Sequence, residues 1–316
     1  VDVSVIIVNW NTRDMLRDCL RSVYEQTQQV SFEIVVIDNA SQDGSVDMVR
    51  REFPAVVLIP NPENRGFAAA NNQGMEVAHG RYVLLLNSDT LVLGEALART
   101  VQFADAHPQA AVVGCRVLNP DRSLQPTCFL YPSLLNMVLS STYLYKLWPR
   151  SRFFGRERMT WWDRNDVRDV DVVTGCFMLV RREAIDRVGV MDDHYFVYGE
   201  ETDWCYRFKA AGWRVLFTPD AEIVHFGGAS SRRVAYQMKL QLYGSILRFL
   251  RKHRPRVVYS LACLLCALFF LIRVPYWLGR AVVSRGDRRA CYRMARTYAT
   301  GAFRAVRGWE SLCVRS

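Results

Sequence analysis

The chain has 316 residues, half of them hydrophobic and 12% aromatic, which is enough to bury a sizeable core and too apolar for a disordered polymer. Its net charge of +10 sits at one end: residues 1–231 carry 23 Lys and Arg against 29 Asp and Glu, while residues 232–316 carry 18 against 2. Nine cysteines at irregular spacings, with no Cys-x-x-Cys pair near histidines, argue for free thiols in a reducing compartment and against a zinc site.

Val3 to Val8 is a short β-branched run suited to a central strand, too short and without the basic leader of a secretory signal. Thr12 is predicted to cap a helix whose apolar face uses Met15, Leu16, Cys19, Leu20 and Val23. Glu33 to Ile37 is the next strand, closed by Asp38-Asn39-Ala40-Ser41. Asp43 is predicted to cap the following helix, and Pro54 ends it before a strand over Val56–Ile59. A small-residue helix from Gly66 to Val77 and a strand from Arg81 to Leu86 follow. This alternation predicts a mostly parallel central sheet flanked by helices.

Ligands on such sheets bind at the carboxyl ends of the strands. Asn9, Asn11, Asp38, Asn39, Asn87 and Ser88 all fall at those ends. The first strand is not followed by the glycines of a dinucleotide fold, and no Gly-rich loop ends in Gly-Lys-Ser/Thr. A diphosphate bound here therefore needs another source of positive charge, and a divalent metal is the natural one. Asp89, at a strand tip, is placed to hold Mg²⁺ or Mn²⁺, although a loop aspartate making a turn has the same sequence. Asp38 offers an acceptor for a pyrimidine imide, or simply an Asx turn. Arg65 pins Asp38, touches phosphate, or is a surface arginine.

A second group of polar residues comes later. Asp171 to Val180 reads as one strand in which Gly175 admits close approach of a sugar. Glu200, Glu201 and Asp203 crowd a helix start, where their repulsion suits one of them to proton abstraction, unless they form a plain acidic first turn. His225 closes a further strand before Gly227-Gly228-Ala229-Ser230-Ser231, positioned for metal or diphosphate. His253 falls in a basic run and reads as a surface residue.

In order, Val5-Ile6-Ile7-Val8-Asn9-Trp10-Asn11, Val36-Ile37-Asp38-Asn39-Ala40-Ser41, Asn64-Arg65-Gly66-Phe67-Ala68 and Leu86-Asn87-Ser88-Asp89-Thr90 resemble the family 2 glycosyltransferases of the GT-A fold, rhamnosyltransferase-like branch. Gly175 to Arg182, Glu200 to Arg207 and His225-Phe226-Gly227-Gly228 continue the resemblance to about residue 233. It implies that Asp38 recognises the pyrimidine, that Asp89 is the metal acid of an Asp-x-Asp position whose first acid is Asn87 here, and that His225 completes the metal site. The family's Glu-Asp pair falls on Glu200-Glu201, so the expected base is Glu201, with Asp203 as second candidate. Asn9, Asn11, Asn39, Arg65, Ser88 and Gly175 are expected in the donor site.

The resemblance also implies an inverting, metal-dependent transfer, with rhamnose from dTDP-rhamnose as the leading guess. UDP-linked galactose, galactofuranose or N-acetylhexosamine, and a non-catalytic binding protein of the same fold, are the alternatives. Residues 1–233 are expected to be catalytic, with a nucleotide half to about residue 118 and an acceptor half beyond it. Residues 234–316 are expected to be a basic, partly hydrophobic helical region that associates with membrane. Within it Val257 to Ile272 lacks charge but falls short of the ~20 residues of a span, and arginines flank both sides. An embedded or re-entrant hairpin or an interfacial helix is expected, ahead of a short span. The expected partners are a nucleotide-diphospho-sugar donor, a lipid-linked saccharide acceptor and an anionic membrane surface on the cytoplasmic face, with no nucleic acid.

Overall fold

A computed structural model describes residues 1–227, 235–283 and 287–307. Its first half alternates as the hydrophobic runs predict: β1 (Val3–Asn9), α1 (Arg13–Glu25), β2 (Phe32–Asn39), α2 (Ser45–Glu52), β3 (Val57–Asn61), α3 (Phe67–Val77) and β4 (Tyr82–Asn87). These strands pair in parallel in the order β3-β2-β1-β4. β1, β2 and β4 are buried along most of their length, so they are written in Val, Ile and Leu rather than in an alternating pattern. The register sets Asn9 beside Asp38 and Val8 beside Asn87, which aligns three strand ends into one edge. Thr12 stands before α1 but does not cap it, because its hydroxyl donates to Asn9 Oδ1.

The second half adds β5 (Thr90–Leu93), α4 (Ala96–Ala106), β6 (Ala110–Leu118), β7 (Cys128–Phe129), α5 (Leu134–Ser141), β8 (Arg168–Asp169), β9 (Val172–Val173), β10 (Phe177–Arg181), α6 (Arg182–Val188), α7 (Glu200–Ala210) and β11 (Arg214–His225). β10 runs antiparallel between β4 and β6, while β11 is parallel to β6 and antiparallel to β5. The run predicted as one strand from Asp171 to Val180 is therefore two. β9 pairs with β7 in a separate ribbon, and β10 joins the main sheet. The ribbon sits tightly on β6: a Cβ at Gly114 would lie 2.5 Å from the Val173 side chain.

The tail forms α8 (Ala235–His253), α9 (Arg256–Val283) and α10 (Arg288–Val306), which share a core that includes Leu247, Leu250, Ala267, Phe270, Tyr298 and Ala302. The apolar run is one continuous helix that passes through Pro275, so a re-entrant turn does not fall inside it. α8 is fastened to the sheet half. Lys252 Nζ lies 2.8 Å from Asp192 and 2.9 Å from Asp203, and His253 Nε2 lies 2.7 Å from Asp203. His253 is thus an internal partner stacked near Tyr206 and Phe249 rather than a surface residue. Part of the basic run expected to face lipid instead neutralises acids of the same chain. The expected Gly228 to Ser231 segment and the boundary near residue 233 lie outside the described residues.

Candidate active site

β5 pairs antiparallel with β11, opposing His225 to Thr90, and so brings His225 against Asp89. His225 Nε2 is 3.2 Å from Asp89 Oδ1 and 3.2 Å from Asn87 Nδ2. On the other side of the ring, His225 Nδ1 lies 2.6 Å from Gln125 Oε1. The Gln125 amide nitrogen donates to Asn119 Oδ1 and to the His225 carbonyl, which leaves its oxygen to accept from the imidazole. The ring therefore carries its proton on Nδ1, and its Nε2 lone pair accepts from Asn87 Nδ2 beside Asp89. A lone pair and a carboxylate oxygen at this separation fit a shared divalent cation, because adjacent ligands of an octahedral ion at ~2.1 Å stand ~3 Å apart.

Next to this corner, the expected donor residues form a chain of hydrogen bonds. Asp38 accepts from Asn9 Nδ2 at 2.8 Å and from the Ser41 amide at 2.8 Å. Thr12 donates to Asn9 Oδ1 and accepts from Ser88 Oγ, which links Asp38 to the strand that carries Asp89. Asn11 accepts from the Gln42 amide, and its own amide donates to Ser41 Oγ. Asn39 donates to the Gly66 carbonyl and accepts from Asn61. Asn9 and Asn39 are buried with their polar atoms in use, so they shape the pocket rather than contact a ligand. Arg65 is exposed and does not pin Asp38, whose oxygens Asn9 and Ser41 already hold.

The loop that carries Phe196 lies over the start of α3. Phe67 donates its amide to the Phe196 carbonyl, and a Cβ at Gly66 would fall 2.4 Å from that same oxygen. Gly66 has φ of 82°, so glycine is required there both for space and for conformation. Gly175 faces Phe67, with ring atoms 3.0 Å from where its Cβ would be. Glu200 and Glu201 begin α7, and each leaves its Oε2 buried without a hydrogen-bond partner among the described residues. Burial pushes the Glu200 carboxyl well above the usual range, with the Glu201 charge adding to it, and burial raises Glu201 as well. The buried thiol of Cys176 is pushed up to about 12, chiefly by burial, with the charges of Asp89 and Glu201 adding to it.

Asp203 is different. It is fully buried, with His253 and Lys252 on Oδ1 and Arg207 on Oδ2 at 2.8 Å. Burial pushes its carboxyl up, but the hydrogen bonds from Lys252, His253 and Arg207 outweigh it and the net shift is down. An acceptor does not reach it, and the expectation that it serves as a second base is set aside on that geometry. Asp192, Asp193 and His194 also lie close enough to share a cation, but Asp192 is already paired with Lys252. Gln125, Thr12 and Ser41 are the site residues that sequence reasoning missed. A lone Gln, Thr or Ser in a loop carries no spacing signal, since its role depends on a partner from another segment.

A mixed central sheet flanked by helices, with a carboxylate and an imidazole brought together at one strand edge, is the architecture of a GT-A type glycosyltransferase. The model of the family described as Glycosyl transferase family 2 matches residues 4–189, and the chain belongs to that family. It is 28% identical over 240 residues to the N-acetylglucosaminyl-diphospho-decaprenol L-rhamnosyltransferase of Mycobacterium tuberculosis, covering 72% of this chain and 77% of the relative. It is 26% identical over 239 residues to the O-antigen biosynthesis protein RfbC of Myxococcus xanthus, covering 73% of this chain and 18% of that one. In fold it resembles the mannosyltransferase PcManGT of Pyrobaculum calidifontis, solved with GDP-Man and Mn²⁺, with a TM-score of 0.58 at 19% identity, covering 98% of this chain and 88% of that one. A GalNAc-T7 structure with UDP, GalNAc and Mn²⁺ matches at a TM-score of 0.56 and 16% identity, covering 79% of this chain and 48% of that one.

Proposed function

We propose that the protein is an inverting, divalent-metal-dependent transferase that moves rhamnose from dTDP-rhamnose to a hydroxyl of a polyprenyl-diphosphate-linked saccharide at the cytoplasmic face of the cell membrane. The observation that carries metal dependence is the 3.2 Å approach of His225 Nε2 to Asp89 Oδ1, with the imidazole turned by Gln125. The sugar and the acceptor rest on the similarity to the mycobacterial relative, whose name states both. Residues 1–233 carry the chemistry, and residues 234–316 hold the enzyme at the surface where a lipid-linked acceptor resides.

In this reading Asp38, as buried as Asn9 and Asn39 but with carboxylate lone pairs beyond those that Asn9 and Ser41 occupy, accepts the imide N–H of the pyrimidine. Asn9, Asn39 and Ser88 fix the pocket wall, and Gly175 gives the sugar room beside Phe67. Glu201 is the base: it is partly exposed, whereas Glu200 is buried, so an acceptor hydroxyl reaches Glu201 first. The hydroxyl oxygen forms its bond to the anomeric carbon as the bond to the diphosphate breaks, and its proton passes to Glu201. Glu200 keeps its own proton, because two adjacent buried carboxylates resist double ionisation. When bound at Asp89 and His225, a divalent cation neutralises charge on the departing nucleoside diphosphate. Of the two ions Mn²⁺ is the better match, since Mg²⁺ prefers all-oxygen ligation and this corner offers a nitrogen.

The test is transfer by the full chain in vesicles that contain polyprenyl-diphosphate N-acetylglucosamine, with dTDP-rhamnose, UDP-galactose or UDP-N-acetylglucosamine, read by product mass. The expected product gains one deoxyhexose in Mn²⁺ and none in EDTA. Transfer from a UDP-sugar instead moves the assignment to that donor, because Asp38 meets the same imide in uracil and thymine. Undiminished transfer in EDTA overturns the metal role.

A further inference from the structure

α9 is 28 residues long and apolar enough to cross a membrane by length and composition. Its two faces differ. Ala262, Cys263, Cys266, Ala267 and Phe270 are buried, while Leu261, Leu264, Leu268, Leu271, Leu278 and Val282 are exposed. The exposed side chains recur at intervals of three, four and seven, so they form one stripe along the helix.

The buried face carries α10 in antiparallel register. Phe270 meets Tyr298 at 5.8 Å between ring centroids and closes on Gly301, and Ala262, Cys266 and Ala267 of α9 share one core with Met294, Tyr298 and Ala302 of α10. α10 thus accompanies α9 over most of its own length, about 28 Å for 19 residues. Along that length α10 exposes Arg289, Arg293 and Arg296, with Arg304 half-buried and Arg307 exposed beyond its end. Midway along α9, Arg273 donates to the Ser141 carbonyl at the end of α5 and lies 3.6 Å over the Phe269 ring. The segment after α5 exposes Leu147, Trp148 and Phe153.

We propose that α9 and α10 lie as a hairpin in the plane of an anionic bilayer surface, with the leucine stripe of α9 in the upper acyl region and the arginines of α10 among the headgroups, and that α9 does not cross the membrane. This rests on the reading of the tail as a membrane-association region. A perpendicular α9 would drag arginines spread along α10 through most of the ~30 Å hydrocarbon layer, together with Arg273 and α5. Lying flat, the same arginines stay at one depth, where lipid phosphates pair with them and aromatic side chains are favoured. Between residues 256 and 307 Asp287 is the sole acid, so a second copy on this face would meet like charge, whereas anionic lipid meets the opposite charge. Ser245 of α8 packs on Gly199 at the start of α7, which ties the height of Glu200 and Glu201 to the surface that α8 to α10 rest on.

The test uses the full chain with phosphatidylcholine vesicles with and without phosphatidylglycerol. The expected result is flotation with the anionic vesicles, weakened about tenfold or more by combined Arg289→Glu, Arg293→Glu and Arg296→Glu and by high salt. Nitroxides attached one at a time through Val257→Cys, Leu264→Cys, Leu268→Cys and Val282→Cys are then read for depth from oxygen and nickel-chelate relaxation. Equal shallow depths at all four positions are expected. A depth that peaks in mid-helix overturns the in-plane geometry while leaving membrane attachment intact. Failure to float with any vesicle overturns attachment itself, and a lipid-free dimer that shields all four labels overturns the lipid as occupant.

Discussion

Two carboxylates two residues apart on α7 meet opposite fates. Asp203 is surrounded by Arg207, Lys252 and His253, and its carboxyl is held below the usual range despite burial. Among the described residues Glu201 and its neighbour Glu200 have no cation paired with them and each retains a buried oxygen without a partner, and both are raised. Local sequence does not separate them, since all three are acids in one helical turn. What separates them is their neighbours. Among the described residues Asp203 meets Lys252 and His253 of α8 and Arg207 of its own helix, whereas neither glutamate has a cation paired with it. Saturated polar groups hold the fold, and unsaturated buried ones are kept for a ligand.

The largest expected effect tests that division directly. Glu201→Gln should lose about 10²–10⁴-fold in transfer rate while donor affinity, measured by titration, is unchanged. Near-normal transfer by this variant breaks the comparison on the catalytic side. Asp203→Ala breaks it on the structural side. Removing the buried carboxylate takes the shared partner from Arg207 and His253, while Lys252 keeps Asp192, and the expected cost is about 1–3 kcal/mol in unfolding free energy from denaturant titration. Because the folded Asp203 carboxyl is depressed, its stabilisation is present above the ordinary aspartate range and is lost as pH falls through the folded value. Loosening of α8 in acid, followed by protease sensitivity near Arg254, should therefore disappear in the variant. If Asp203→Ala instead leaves stability unchanged and abolishes transfer, Asp203 belongs with the glutamates.

The sheet half was legible because its physics is local. Val3 to Val8, Ile34 to Ile37 and Tyr82 to Leu86 are continuous apolar runs that only a doubly covered strand accommodates, and polar residues mark where each ends. Asp89 and His225 were legible as a pair only through the ordered motifs, since 136 positions separate them and the β5–β11 pairing that joins them leaves no periodic signature. The hydrogen bonds of Asn9 and Asn39 within the chain were not legible, because a polar residue at a strand end looks alike whether it holds a loop or a ligand. The His253 clamp was illegible for a related reason. A basic run reads as a solvated or lipid-facing surface until its acidic partners, Asp192 and Asp203, are seen to fold beneath it.

The proposed metal corner provides a third, intermediate case, a side chain whose hydrogen bonds set the tautomer of its neighbour. Gln125 uses its amide on Asn119 and on the His225 backbone, and by accepting from Nδ1 it leaves Nε2 unprotonated between Asn87 and Asp89. Gln125→Ala should weaken Mn²⁺ affinity about 10–100-fold, read by electron paramagnetic resonance titration without donor, with the melting temperature little changed. Gln125→Glu keeps an acceptor at the same place and should restore most of that affinity. Equal Mn²⁺ binding by the wild type and the alanine variant removes the positioning role, while failure of the wild type itself to bind Mn²⁺ removes the metal reading.

The smallest effect on rate is expected at Glu200, and it sharpens the contrast inside the glutamate pair. If Glu200 keeps its proton during turnover, Glu200→Gln mimics the working form and should retain transfer within about threefold, well short of the loss expected for an essential base. The acid limb of the pH–rate profile should then stay with Glu201, above the ordinary glutamate range. Stability moves the other way. A carboxyl raised in the folded state favours folding in acid, and that contribution is lost as pH rises through the folded value. Glutamine cannot ionise, so the variant should gain melting temperature relative to wild type at alkaline pH, roughly 2–4 °C for each kcal/mol, and gain nothing in acid. A rate loss at Glu200→Gln equal to that at Glu201→Gln, without the alkaline gain, makes the pair one catalytic unit and moves the dividing line in α7 to lie between Glu201 and Asp203 alone.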